Sequence, residues 1–170
     1  GDVSAARMAW LGGLALVCAW IAVPALLLGL FTRPWALVFT DDEGVVALLG
    51  RLAPWLILYV SLDAILAINA GSLTGCGRQR VGGRLAIVSY VFVGLPAALL
   101  LGFGTPLGAV GIAMGHTLGK FLMTALTGWD VANTDWRGES EAAVRRIKEH
   151  TGAAERDSSV AELSAAHEAA

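Results

Sequence analysis

The sequence predicts an all-α, multi-pass membrane protein: a bundle of four transmembrane helices followed by a polar C-terminal tail. Of the 170 residues, 56% are hydrophobic and only 15% are charged, a balance that does not fit the surface of a soluble domain. Formal charges are missing altogether from Met8 to Thr32 and from Leu85 to Gly119. Only Asp63 interrupts a third apolar stretch, Leu52 to Gly77. Runs of this length reach the roughly 20 apolar residues that are needed to cross about 30 Å of hydrocarbon.

The limits of the helices follow from turn-forming and hydrophilic residues. Pro24 is expected to bend the first helix, because proline cannot donate an intrahelical hydrogen bond. The second helix lies between the turn Thr40–Glu43 and the hydrophilic stretch Arg78–Arg84. The last apolar run is too long for one crossing, and the helix breakers in Gly102–Gly108 divide it into two helices. The four helices of the transmembrane region, residues 1–129, are predicted over residues 6–31, 44–75, 83–103 and 108–129.

Residues 130–170 form a polar tail that is predicted to lie on the cytoplasmic side. The tail contains nine acidic and five basic residues; a short surface helix is expected over Glu139–His150 and disorder beyond Thr151. Cytoplasmic loops carry an excess of Lys and Arg. Because the loop after the second helix carries Arg78, Arg80 and Arg84 and no acid, both ends of the chain are predicted to be cytoplasmic.

Asp63 is the residue that points most directly to a function. An acidic side chain near the centre of a span costs roughly 2.5–3.5 kcal/mol to insert. Its carboxylate should therefore face the bundle interior or a wet cavity, where it can exchange a proton or hold a cation. We predict that Asp63 couples proton movement to the binding of a cationic solute. The structural alternative is a permanent pair with a basic group or a cap of hydroxyl donors.

Three further side chains are candidates for lining the same cavity. His116 and Lys120 are four residues apart in the fourth helix and share one face, which Thr124 extends by a turn. For Lys120 an ion pair with Asp63 is one interpretation; for His116 the alternative is a hydrogen-bonded packing role. Tyr59 precedes Asp63 by one turn, so it can hydrogen-bond the carboxylate or line the cavity.

Small residues mark one face of the fourth helix. Gly111, Gly115 and Gly119 follow one another at intervals of four, a spacing that lets another helix approach closely. Tight packing within the bundle is the simpler interpretation. The rival hypothesis is a non-transporting membrane subunit, or a truncated paralogue, that binds other helices through this face.

The sequence gives no sign of catalysis, so neither an enzyme nor a cofactor or metal site is predicted. The segment Gly115–Lys120 lacks the spacing of a phosphate-binding loop, and no hydrolase or metalloprotease signature occurs. Cys18 and Cys76 lack metal-ligand spacing and are interpreted as small packing residues. The net charge of −2 sums a basic membrane region and an acidic tail, and nucleic acid is not expected as a partner.

A set of glycine-rich motifs in the second and third helices resembles a known family. The main motifs are Leu62–Ile65, Gly71–Gly82 and Val93–Pro96, and supporting pieces are Phe39–Asp42, Gly108–Ile112 and Thr134–Trp136. On these motifs the chain resembles the multidrug and toxic compound extrusion (MATE) transporters, particularly their eukaryotic branch, from about Gly1 to Lys148.

The resemblance implies the last four helices of the second of two six-helix lobes. It also implies an antiporter that exports organic solutes or xenobiotics in exchange for protons or sodium, in the plasma membrane or a vacuolar or other organellar membrane. Asp63 falls where the family has an acidic residue or glutamine, and Tyr90 is a further candidate for lining the cavity. Lys120 stands where a neutral polar residue is expected, which makes an anionic solute such as a carboxylate an option.

The partners implied are the lipid bilayer, the missing N-terminal lobe of the same parent chain, a small organic solute, and protons or sodium. Because the chain opens with Gly1 and holds only four helices, it is expected to be a C-terminal fragment that does not transport alone.

Overall fold

The computed structural model describes residues 3–139 together with Glu141 and Arg145. The described residues form helices and no strand. The helices are α1 (Val3–Leu37), α2 (Glu43–Gly75), α3 (Gln79–Ala86), a π-helical segment (Ile87–Gly94), α4 (Leu95–Phe103) and α5 (Ala109–Ala132).

Among the described residues, four helices are long and apolar enough to cross a membrane: Arg7–Leu37, Glu43–Gly75, Gln79–Phe103 and Ala109–Ala132. The third of them, here called the third span, runs through α3, the π-helical segment and α4. The predicted all-α bundle with four membrane helices is therefore confirmed. Most of the tail helix expected over Glu139–His150, and everything beyond Thr151, lies outside the described residues.

The irregularity in α1 lies at Phe31, where φ is −112° and ψ is 15°. Pro34 follows three residues later, and its ring excludes the hydrogen bond to the carbonyl of Leu30 while crowding that carbonyl. Pro24, where the sequence predicts a bend, keeps helical backbone angles, and the break in these angles lies ahead of Pro34 instead. The helix resumes after Phe31 and ends six residues later, at Leu37.

The connection from α2 to the third span is a three-residue reversal, Cys76–Arg78, built on Gly77. Gly77 has a φ of 71°, and the N–H of Arg78 donates to the carbonyl of Leu73 over 2.8 Å. The N–H of Gly77 also donates to the carbonyl of Thr74 over 2.9 Å. Together these bonds form a Schellman helix end. Because the reversal is so short, the third span begins at Gln79 rather than near Gly83.

The π-helical segment is the second irregularity, and it ends at Gly94, two residues before Pro96. The N–H of Leu95 donates to the carbonyl of Tyr90, five residues earlier. Pro96, in the first turn of α4, has no N–H to continue the ladder. The wider turns that precede it keep the third span continuous through Pro96.

Close packing between α5 and the third span follows the glycine face of α5. A Cβ added to Gly119 would lie 2.8 Å from the Cα of Gly94, and one added to Gly115 would overlap the backbone of Ala98. Likewise, a Cβ on Gly111 would overlap the backbone of Leu101. The glycine face is therefore covered by the chain's own third span. This face is therefore not free to bind helices of another subunit, as the rival hypothesis requires.

Candidate functional site

The structure brings all five of the predicted site residues together, on three helices. Tyr59 and Asp63 come from α2, Tyr90 from the π-helical segment, and His116 and Lys120 from α5. Each pair from one helix is four residues apart, so both members lie on the same face. We call this group the Asp63–Lys120 cluster.

An ion pair stands at the centre of the cluster. The Lys120 Nζ donates to the Asp63 Oδ1 over 2.5 Å. The Lys120 side chain is only 8% exposed, whereas that of Asp63 is 59% exposed. The carboxylate therefore lies on the open side of these helices, and the ammonium lies behind it. Of the interpretations that the sequence leaves open for Lys120, the ion pair with Asp63 is the one found.

Aromatic rings enclose the ammonium on two sides. The Lys120 Nζ is 4.6 Å from the ring centroid of Tyr59 and 5.5 Å from that of Tyr90. His116 stacks on Tyr59 with ring centroids 5.0 Å apart and planes 16° apart, and it lies 6.1 Å from Tyr90. Aromatic faces attract cations through their quadrupole. The rings therefore add to the attraction that the carboxylate exerts on a positive charge.

Below the cluster, a chain of hydrogen bonds fixes three helices to one another. Thr124 donates its hydroxyl to the carbonyl of Lys120 over 2.9 Å and to that of Leu62 over 3.3 Å. Asn69 donates to the carbonyl of Thr124 over 3.4 Å and accepts a 3.1 Å bond from the Trp10 indole. Asn69 is almost fully buried, at 2% exposure. These bonds join α1, α2 and α5 and hold the backbone of Lys120 in place.

Asn69 and Trp10 are supporting residues that the sequence analysis does not identify. The available signal is an amide in a helix whose other residues after Asp63 are almost all apolar or small. A buried amide needs partners for both its donor and its acceptor. Its partners lie on other helices, at sequence separations of 55 and 59 residues, which periodicity does not reveal.

A second ionic group lies at the end of the bundle where α2 meets the third span. Arg78 donates to the Asp130 carboxylate and to the Thr134 hydroxyl, both over 2.9 Å. The Glu139 carboxylate is 3.9 Å from the Arg78 Nε. Arg78 thus ties the loop before the third span to the end of α5 and the segment that follows.

The gap between α1 and α2 contains a cavity of about 540 Å³ near the break at Phe31. Arg33 and Glu43 belong to its lining and form a 3.2 Å ion pair. No residue of the Asp63–Lys120 cluster lines this cavity. Within the part of the chain that the structure describes, no group of three or more His, Cys, Asp or Glu residues could hold a metal ion.

The similarity of the chain to known proteins agrees with this architecture. The model of the family described as MatE matches residues 2–100. The chain belongs to the MATE family. The matched region includes Asp63 and Tyr90, whereas His116 and Lys120 lie C-terminal to it.

Among the MATE relatives are Protein DETOXIFICATION 31 and Protein DETOXIFICATION 41, both of Arabidopsis thaliana. The first is 31% identical over 122 residues, which is 72% of this chain and 23% of that protein. The second is 37% identical over 110 residues, 65% of this chain and 22% of that protein. Human Multidrug and toxin extrusion protein 2 is 32% identical over 115 residues, 68% of this chain and 18% of that protein.

A solved structure of a MATE protein also matches the fold. The crystal structure of the eukaryotic MATE transporter AtDTX14 has a TM-score of 0.79 to this chain at 27% sequence identity. The match covers 86% of this chain and 33% of the AtDTX14 chain. This MATE chain is accordingly an integral, multi-pass membrane protein. It spans about a quarter of the length of the curated relatives it matches.

Proposed function

We propose that the chain is the C-terminal part of a MATE antiporter that exports organic solutes or xenobiotics in exchange for protons. One observation carries the proposal: the solvent-open Asp63 carboxylate pairs with the buried Lys120 ammonium, which also faces the rings of Tyr59 and Tyr90. An acidic side chain within an apolar span is costly. A carboxylate that is open to solvent can bind either a proton or a positively charged group, and this competition is what an antiporter requires.

The proposed transporter is longer than this chain. Alternating access moves one helical bundle against another around a site at their interface. Because the chain spans only about a quarter of its relatives' length, the transporter would need further helices. From the resemblance of its motifs, we propose that its four helices belong to the second lobe. The remaining helices, including an N-terminal lobe, would then supply the other wall of the solute site. We do not expect these four helices to transport by themselves.

The class of solute in this proposal follows from the relatives. Their names refer to detoxification and to the extrusion of multiple drugs and toxins. We propose that this chain acts on small organic solutes of the same broad kind. The open face beside Asp63 is the proposed point of contact.

We also propose that the C-terminus is cytoplasmic, in the plasma membrane or in a vacuolar or other organellar membrane. The support is the group Arg78, Arg80 and Arg84 beside the second and third spans, since Lys and Arg are enriched in cytoplasmic loops. A protease site placed after Ala170 in the complete gene product should be cleaved only when the cytoplasmic face is accessible. Cleavage from the opposite face would reverse the orientation.

The role of Asp63 can be tested by efflux from proteoliposomes that contain the complete gene product. Asp63→Asn should abolish export driven by a proton gradient, because the amide neither binds a proton nor balances a positive charge. Asp41→Asn makes the same chemical change in an exposed turn and should transport normally. Undiminished proton-driven export by Asp63→Asn would remove the proposed role. Export that needs a sodium gradient instead would replace the proton by sodium as the coupling ion.

A further inference from the structure

We propose that the cavity between α1 and α2 binds one bilayer phospholipid with an ethanolamine headgroup. Its acyl chain lies in the gap between the two helices, its phosphate binds Arg33 and its ammonium binds Glu43. No residue of the Asp63–Lys120 cluster lines this cavity. The inference therefore goes beyond the proposed antiport function and does not depend on it.

Small residues line the cavity without bringing the two helices together. Gly29 on α1 and Gly50 on α2 belong to its lining, and a Cβ added to either would meet no neighbouring atom within 4 Å among the described residues. The glycines of α5 differ, since a Cβ on Gly115 would overlap the backbone of Ala98. Space left unfilled between packed helices loses dispersion contacts. The gap therefore needs an occupant from outside α1 and α2.

The length and the lining of the cavity suit a hydrocarbon chain. On α2 the lining extends from Glu43 to Ile57, about 21 Å along the helix at 1.5 Å per residue. One leaflet of a bilayer contributes about 15 Å of hydrocarbon, so the cavity reaches through the depth of a leaflet. Below Glu43, the α2 lining consists entirely of apolar residues: Val46, Ala47, Gly50, Ala53, Pro54 and Ile57.

A second cavity of about 330 Å³ continues the same gap. It shares Thr32, Ala53 and Ile57 with the first cavity. The Thr32 hydroxyl donates to the carbonyl of Leu28, so its proton is not available to a ligand. The other residues that line the second cavity are aliphatic or aromatic. An acyl chain fits this space better than a polar solute does, because no charged group lies there to bind one.

Two opposite charges lie at the end of the first cavity. The Arg33 Nη2 donates to both oxygens of the Glu43 carboxylate, over 3.2 and 3.4 Å, and the two side chains are 69% and 73% exposed. An exposed ion pair contributes little stability, so a ligand that offers both charges can replace it. A guanidinium binds phosphate through parallel N–H bonds, and a primary ammonium donates to a carboxylate. The ethanolamine headgroup carries both of these groups.

The positions of the two charges agree with the order of groups in this lipid. Arg33 lies about one turn before the end of α1, whereas Glu43 is the first residue of α2. In the lipid, the phosphate is next to the glycerol and the amine lies beyond it. Trp35 and Phe39, with ring centroids 5.8 Å apart, lie at the same end, as aromatic residues commonly do at headgroup level. A protein helix laid over this face would instead take the ion pair out of water, which is unfavourable.

The headgroup is tested by native mass spectrometry of the complete gene product, delipidated in detergent and then titrated with lipid. The probes are phosphatidylethanolamine and phosphatidylglycerol with identical acyl chains. The unmodified protein should retain one phosphatidylethanolamine about tenfold more tightly than phosphatidylglycerol, because only the first offers an ammonium to Glu43. Glu43→Gln should remove this preference. Arg33→Gln should weaken the binding of both lipids, because both lose the partner of their phosphate.

The place of the acyl chain is tested by filling the gap with a side chain. Gly50→Leu should weaken lipid binding about tenfold and should not lower the unfolding temperature in detergent, because leucine favours the helix and its Cβ meets open space. Gly12→Leu makes the same change on α1 outside the cavity and should bind the lipid normally. Gly29→Leu, on the opposite wall, replaces Gly50→Leu if that variant does not give a monodisperse protein.

Three results would overturn the inference. Equal or tighter retention of phosphatidylglycerol by the unmodified protein would reject the headgroup. Undiminished lipid binding by Gly50→Leu would place the lipid elsewhere on the protein. Absence of retained lipid in the unmodified protein would show that another part of the parent chain fills the gap. None of these results bears on proton-driven export, which the Asp63→Asn measurement decides.

Discussion

Asp63 and Lys120 are oppositely charged partners with unequal access to solvent: the carboxylate is 59% exposed and the ammonium is 8% exposed. Removing the lysine therefore affects the carboxylate differently from the way that removing the aspartate affects the ammonium. A carboxylate left alone can be hydrated from the open side. An ammonium left alone stays buried among α2, α5 and the third span.

The first prediction is that Asp63→Asn destabilises the bundle more than Lys120→Met does. Removing the counter-ion of a buried charge costs about 3 kcal/mol, whereas freeing the exposed carboxylate should cost about 1 kcal/mol or less. Thermal unfolding in one detergent measures both, and Asp63→Asn combined with Lys120→Met should recover most of the loss. Equal losses for the two single variants would contradict the unequal burial of the pair.

A second prediction concerns the closest approach of α5 to the third span. Gly115→Ala should cost roughly 1–3 kcal/mol, because the added Cβ overlaps the backbone of Ala98, which cannot rotate away. Gly12→Ala in α1 is the matched control, since nothing lies within 4 Å of its added Cβ. The unfolding temperature of Gly115→Ala should be lower than that of Gly12→Ala, which should equal or exceed that of the unmodified protein. A Gly115→Ala protein as stable as its control would disprove the close contact.

The third prediction tests the reversal between α2 and the third span. Gly77→Ala should cost about 1–2 kcal/mol, because its φ of 71° is strained for a residue with a Cβ. Gly77→Asn should lose less, since asparagine tolerates this region better. Gly83→Ala, within α3 and with open space around its Cβ, should not destabilise. Chemical denaturation of the three variants measures their loss of stability. A larger loss for Gly83→Ala than for Gly77→Ala would contradict the Schellman helix end.

Arg78→Gln and Arg80→Gln form the fourth comparison. Both remove one positive charge from the same end of the third span, so their effects on membrane orientation should be equal. Only Arg78 bonds to Asp130 and Thr134, and its loss should cost about 1–2 kcal/mol because these partners are partly buried. Limited proteolysis after α5 should therefore be faster in Arg78→Gln alone. Equal cleavage rates in the two variants would show that Arg78 does not hold this segment.

The number of spans and four members of the cluster could be predicted from local rules, whereas Tyr90 was predicted only from the family resemblance. Apolar run length determines where four helices can cross. Spacing of four placed Tyr59 with Asp63, and His116 with Lys120, on common faces. The contact between these two faces depends on tertiary packing. From the sequence, the ion pair between Asp63 and Lys120 was therefore only one of several interpretations.

Features that were mispredicted or missed depend on competition between residues or on distant contacts. Pro24 and Pro34 both lie within α1, but the backbone departs from helical angles only ahead of Pro34. Composition alone does not determine which of the two prolines distorts the helix backbone, because that also depends on packing against the neighbouring helix. The Arg78–Asp130 pair is formed across 52 residues of sequence. Hydrophobic periodicity contains no information on such a pairing.

The glycine contacts between α5 and the third span have a mechanical consequence. Backbone lies directly against backbone from Gly119 to Gly111, so these two helices have no layer of rotatable side chains that would let one slide along the other. They should move together as a single rigid body. Relative displacement within this chain is then concentrated between α1 and α2, where Phe31 interrupts the helix and the gap is already open.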